Sequence, residues 1–287
     1  MLAWIAVIAP HGWSAVGVAE SLFSGMGSRL LWVIVAAFLA GALNAVAGGG
    51  SFLSFPALLG VGLGPIQANA TNTVALWPGQ LTSIAGYWVE VKKHPKLAIK
   101  MGIAGLLGGS LGAVVLLNTP AKTFMFLVPW LLLFAALIFA LSGPVMKRLQ
   151  RRKGLPAVDP RRERARQSGQ LILVLATIVI CFYIGYFGAG AGFLIISLLS
   201  VFGFEDLNEM NAMKVVSTTM ANGIACILFA VSGKVEWRFC LAAMVTCAIG
   251  GYSSARIAQR ANPRVLRAMV VVIGLGMAAY FFWRNHS

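Results

Sequence analysis

The sequence predicts an all-α integral membrane protein made of two inverted-topology repeats of about five helical segments each, with short, broken helices at two glycine clusters. Three observations carry that prediction. The 287 residues are 59% hydrophobic and only 11% charged, with a mean hydropathy of +0.83, well outside the range of water-soluble domains. Apolar windows long enough to cross a hydrocarbon core of about 30 Å recur along the chain. Short motifs of the first half return in the second at an offset of about 142 residues.

Residues 1–29 read as an N-terminal interfacial segment and not as a signal peptide, because no Lys or Arg precedes Arg29 and Pro10 interrupts the apolar run. His11 and Glu20 there read as wetted surface groups. The first membrane repeat, 30–142, holds apolar windows at about 30–48, 69–89, 97–117 and 123–142. A linker at 143–169 separates it from the second repeat, 170–287, with windows at about 170–187, 211–232, 238–257 and 265–284. Two further apolar stretches, 51–62 and 192–203, are short for a crossing, and each follows a glycine cluster. The duplication shows as "AGGGSFL" at 47–53 against "GAGAGFL" at 188–194, "NATNTVA" at 69–75 against "NAMKVVS" at 211–217, and "GGSLGA" at 108–113 against "GGYSSA" at 250–255.

Loop charge sets the orientation. The linker carries Lys147, Arg148, Arg151, Arg152, Lys153, Arg161, Arg162, Arg164 and Arg166 against Asp159 and Glu163, which places it in the cytoplasm. Counting back, the basic loop "EVKKHPK" at 90–96 also falls inside. Counting forward, Arg256, Arg260, Arg264 and Arg267 fall inside only if the short stretch 192–203 crosses. Five crossings per half follow, and an odd number inverts the second repeat relative to the first. The acidic "FEDLNE" at 204–209 then lies inside, against the trend, although acids weigh little in the rule. The expected location is a bacterial inner (cell) membrane, multi-pass, with linker 143–169 cytoplasmic.

A helix that breaks within lipid leaves backbone groups unpaired at several kcal/mol each, so such breaks survive only inside protein or beside a hydrated cavity. Gly48, Gly49 and Gly50 permit the reversal, and Ser51 stands where an N-cap would start the next short helix. Gly188, Gly190 and Gly192 serve the second half in the same way. The start of a helix offers free N–H groups and a positive dipole end to an anion. The competing reading, that glycines only let helices pack closely, is preferred for "GGSLGA" and "GGYSSA". Asn69, Thr71 and Asn72, and their counterparts Asn211, Lys214 and Ser217, supply polar groups beside the breaks, and Asn44 lies one turn before the first. Lys214 either faces the cavity as an attractor of anions or snorkels to Glu205, Asp206 and Glu209.

Other classes fit poorly. The formal charge of +15 sits in short loops between apolar spans, which argues orientation and not nucleic acid. Cys181, Cys226, Cys240 and Cys247 lie within apolar spans without CxxC spacing, so neither a disulfide framework nor a zinc site is expected. No HExxH, carboxylate pair or Ser-His-Asp set is present, so the chain is read as a non-enzyme with no catalytic residues, metal or cofactor. The expected partners are a small anionic substrate and membrane lipids, with homodimerisation open. All eight acids and three histidines fall outside the spans, leaving no ordinary proton relay. Electrogenic export of an anion by alternating access, one repeat bundle rocking against the other, needs no coupling ion; ion-coupled uptake is the alternative.

The stretch "NAVAGGGSFLSFPALLGVGLGPIQANATNTVALWPG" resembles the TauE/SafE sulfite exporter family, through Asn44, Gly48 to Gly50, Pro56 and Asn69 to Asn72. The likeness extends over roughly residues 30–284, with a weaker second copy. The resemblance implies a permease for sulfite, sulfoacetate and related sulfur-containing anions. Lys214 in the second copy and the long arginine-rich linker depart from the pattern.

Overall fold

The computed structural model describes residues 25–47, 49–151, 169–204, 206–258 and 263–286. Gly48, Glu205, Arg260, His11, Glu20 and linker residues 152–168, all invoked above, lie outside the described residues. The described chain forms eleven helices and no strand. In order they are α1 (Met26–Ala47), α2 (Ser51–Gly60), α3 (Pro65–Gly86), α4 (Trp88–Lys93), α5 (Pro95–Asn118) and α6 (Ala121–Arg151), then α7 (Gln170–Tyr186), α8 (Ala191–Val201), α9 (Leu207–Val231), α10 (Trp237–Ala258) and α11 (Pro263–His286). Four of them contain stretches long and apolar enough to cross a membrane: Gly27–Asn44, Pro95–Asn118, Ala121–Ile138 and Leu207–Val231.

Helix starts follow local chemistry. Pro65 and Pro95 occupy the first turns of α3 and α5, where a missing N–H costs nothing. The Asp206 carboxylate caps α9 by accepting from the Asn208 amide at 2.8 Å. Ser51 departs from expectation: Gly50 is the N-cap, and Ser51 is the first helical residue. A Cβ on Gly50 would stand 2.6 Å from the Ala40 carbonyl, so glycine is required there by the approach of α1.

The two short helices correct the expectation of five full crossings per half. α2 has 10 residues and α8 has 11, so each rises about 15 Å, half of a bilayer core. α2 folds back along α1, with Gly60 near the Trp32 indole, and α8 likewise packs on α7. Each pair is a hairpin whose apex lies within the molecule.

Long-range packing crosses between the halves. α5 packs on α7 and α9, and α10 packs on α1 and α3. Small residues allow it. A Cβ on Gly112 would lie 2.0 Å from the Phe182 carbonyl, one on Gly109 2.4 Å from that of Ala221, and one on Gly250 2.1 Å from that of Phe38. The close-packing reading of "GGSLGA" and "GGYSSA" therefore holds. At the centre α3 and α9 run antiparallel. From Thr73 to Gln80, α3 meets Cys226, then Thr219 and Asn222, through Cys226 Sγ to the Thr73 carbonyl at 3.7 Å, Trp77 Nε1 to the Thr219 carbonyl at 3.1 Å and Asn222 Nδ2 to Gln80 Oε1 at 3.0 Å. α6 pairs with α11, where Trp130 and Phe282 meet edge to face at 4.8 Å.

Large apolar side chains such as Leu31, Leu111, Val179, Ile227 and Val245 face outward, the surface a lipid-embedded helix bundle presents. The six-residue α4 was not anticipated. Its Trp88 and Val89 are exposed and Lys92 Nζ sits 5.3 Å over the Trp88 ring, a pairing suited to the membrane interface.

Gly112→Ala should lower the unfolding midpoint in detergent by an overpacking penalty of about 1–3 kcal/mol, because its obstacle is backbone. Gly79→Ala, with nothing within 4 Å of the new Cβ, should leave the midpoint unchanged or raise it slightly. Equal behaviour of the two variants in a thermal scan would disprove the close-approach account.

Candidate functional site

The breaks fix the site. After α7, Gly188 and Gly190 adopt φ of 79° and 74°, a region glycine enters without strain. Gly190 is the N-cap of α8. Tyr183 secures the turn by donating its hydroxyl to the Ala189 carbonyl at 2.8 Å. After α1, the turn is held by Phe52 N–H to Gly49 O at 3.1 Å and by Leu53 and Ser54 N–H to Gly50 O. Two sequence-distant helices thus begin deep in the molecule.

Both begin on the same cavity of about 350 Å³. Its wall takes Asn44, Gly49 and Ser51 from the first break, Gly188, Gly190 and Gly192 from the second, Asn72 from α3, and Asn211 and Lys214 from α9. The orphan N–H groups and positive dipole ends of two helix starts therefore meet one hollow. Gly50 lies behind this wall, against α1.

The two sides of the cavity differ chemically. On the α2 side, Asn72 Nδ2 donates to Ser51 Oγ at 3.2 Å, and the Ser54 hydroxyl donates to Asn72 Oδ1 with the Gly50 carbonyl 3.1 Å away. This side is a neutral network of amide and hydroxyl groups. On the α8 side, the Lys214 stem passes over Gly192, 3.3 Å from where a Cβ would stand. Lys214 Nζ donates to Asn211 Oδ1 at 2.9 Å. No ion pair joins Lys214 to Asp206 or Glu209 among the described residues: Asp206 caps α9, and Glu209 meets His94 at 3.2 Å. Lys214 thus lines the cavity, while Glu205, the third of its expected acidic partners, lies outside the described residues.

Three other candidates lie outside the wall. Asn69, 1% exposed, donates Nδ2 to the Tyr186 carbonyl at 3.1 Å while its Oδ1 finds no partner, a deficit of roughly 1–3 kcal/mol. Thr71 Oγ1 accepts from the Glu236 amide at 3.0 Å. Ser217 turns its hydroxyl back to the Met213 and Lys214 carbonyls, buried against Gly105 of α5.

The cavity also recruits residues not singled out from sequence: Thr73, Gln80 and Ser83 on α3, and Thr218 and Asn222 on α9. Gln80 and Asn222 carried a signal, since they are polar, lie within apolar windows, and stand 142 residues apart, the spacing of the duplication. Gln80 and Ser83 lie on the C-terminal half of α3, and Asn211, Lys214 and Thr218 on the N-terminal half of α9, so the cavity extends toward that end of the molecule. The opposite end is shut. Phe55, Phe124, Tyr186 and Phe187 pack edge to face there with centroids 5.5–6.5 Å apart, all buried.

Comparison with known proteins agrees with a transport architecture. The chain is 26% identical over 270 residues to "Probable membrane transporter protein YfcA" of Escherichia coli (strain K12), covering 93% of this chain and 95% of that protein. It is 25% identical over 250 residues to "Probable membrane transporter protein ORF9" of Sinorhizobium sp, covering 87% and 90%. A "Probable membrane transporter protein" of Haemophilus influenzae is 25% identical over 243 residues, covering 84% and 90%. No solved structure matches the chain significantly. The sequence profile described as "Sulfite exporter TauE/SafE" matches residues 33–281. With the match running from α1 to α11 and through both interrupted hairpins, the chain belongs to the TauE/SafE family of membrane transporters.

Proposed function

We propose that this protein exports small sulfur-containing anions, sulfite or an organosulfonate such as sulfoacetate, by alternating access between two inverted repeats, driven by the membrane potential. One observation carries the reading: two interrupted helices begin on a single cavity whose described wall holds one cation, Lys214, and no carboxylate. Helix starts and an ammonium group attract anions, while the Ser51, Asn72 and Gln80 side accommodates a neutral polar portion. A volume of about 350 Å³ admits a tetrahedral oxyanion with water or a short organosulfonate. The choice of sulfur rests on the family description.

The inverted arrangement draws support from two hydrogen bonds. Trp77 bonds Thr219 and Gln80 bonds Asn222, each pair 142 residues apart. Residues matched by a duplication touch one another only beside the axis that relates the copies. Because α3 and α9 cross antiparallel there, that axis lies perpendicular to them, in the membrane plane. The cavity reaches toward the end bearing Lys92, Lys93, Lys96 and Lys100, which loop charge assigns to the cytoplasm. This conformation is then the one that loads from inside.

An outward-moving monovalent anion gains about 2.3 kcal/mol per 100 mV in a negative-inside cell. In proteoliposomes, sulfite or sulfoacetate flux should follow an imposed potassium diffusion potential and persist with protons equilibrated by an uncoupler; flux that tracks a proton gradient and ignores voltage would favour coupled uptake instead. Among sulfite, sulfate, thiosulfate, sulfoacetate and a carboxylate control, the transported anion should raise the thermal midpoint, by about 2.7 kcal/mol of stabilisation at a hundredfold excess over Kd. Lys214→Gln should weaken that anion's affinity by roughly 10- to 100-fold, the worth of a charged hydrogen bond of about 1.5–3 kcal/mol. An unchanged Kd would remove Lys214 from the binding step.

A further inference from the structure

We infer that Asn69 and Asn211 form a reciprocal latch, in which release of Asn69 from the end of α7 and capture of Asn211 by the last turn of α1 close the present cavity and open its counterpart on the other face. The inference rests on the alternating-access reading. At the shut end, Asn69 of α3 donates Nδ2 to the carbonyl of Tyr186, the last residue of α7. Asn211 is the residue matched to Asn69 by the duplication, and it stands at the open end on the cavity wall. Its Nδ2 turns to Leu207 O of its own helix at 2.8 Å, and its Oδ1 accepts from Lys214.

The hairpins of the two halves correspond at an offset of about 141 residues, which aligns Phe52 with Phe193 and places Ala45, in the last turn of α1, opposite Tyr186. Asn44, beside it, lines the cavity. One asparagine-to-carbonyl contact is thus made where the molecule is closed, and the matching contact is unmade where it is open. Equivalent groups at both ends give two states of similar free energy, which a substrate can bias. The unpaired Oδ1 of Asn69 keeps the closed end from being overstabilised.

The latch is tested with two cysteine reporters in a background where the four native cysteines are replaced. Ser83→Cys sits on the open wall, and Ala225→Cys, its duplication partner, is fully buried. A membrane-impermeant maleimide is applied to each face of sealed vesicles. The two reporters should label from opposite faces. Asn69→Ala should raise the labelling rate at position 225 and lower it at 83, whereas Asn211→Ala should lower it at 225, each by roughly two- to tenfold, the span set by the net worth of one hydrogen bond. Asn211 bonds only within α9 among the described residues, so that variant decides the matter if Asn69→Ala does not fold. Opposite-face labelling with a ratio unmoved by Asn211→Ala overturns the latch and leaves alternating access standing. Labelling of both reporters from one face, or none at 225, overturns alternating access itself.

Discussion

A backbone that stops being helical inside a bilayer must find hydrogen-bond partners from protein or water, because lipid offers none. The rest of this structure follows from how that demand is met twice. At the first break, turn bonds to Gly49 and Gly50 and the side chains of Ser54 and Asn72 absorb part of the loose backbone. At the second, two left-handed glycines and the Tyr183 hydroxyl do the same work. The groups still unmatched at the helix starts open onto a shared hollow. The cavity is in this sense what two incomplete helices leave behind.

The two hairpins are similar in sequence and unequal in chemistry. α2 presents Ser51 and Ser54 to Asn72, while the first turn of α8, Ala191 to Leu194, has no hydroxyl and faces Lys214. The position of Asn72 is occupied in the second copy by Lys214, and a bare glycine at 192 leaves room for its stem. The cavity therefore has one neutral and one cationic side.

Much of this was legible in the sequence because glycine and charge leave strong marks. Gly50, the left-handed Gly188 and Gly190, and the packing glycines of "GGSLGA" each meet a backbone constraint that favours glycine. Polar side chains were less transparent. Asn69, Thr71 and Asn72 are neighbours in sequence, yet helical geometry points them in different directions: toward Tyr186, toward Glu236 and into the cavity. Ser217 satisfies itself along its own helix, a choice invisible to spacing alone. Gln80, Ser83, Thr218 and Asn222 join the wall because α3 and α9 cross there, a tertiary fact. The reach of α2 and α8 was also misjudged, since flanking residues that could have extended them form turns instead.

The exchange of α5 and α10 between the halves has a further meaning. α5 is locked by glycine contacts to α7 and α9, and α10 to α1. The tightly packed groups are therefore not the two stretches of chain on either side of the linker, but two intertwined sets of helices that each borrow one from the other. A fragment cut at the linker would expose the glycine-lined faces meant for its missing half. Such an interlock ties assembly of the protein to the presence of both halves of the chain.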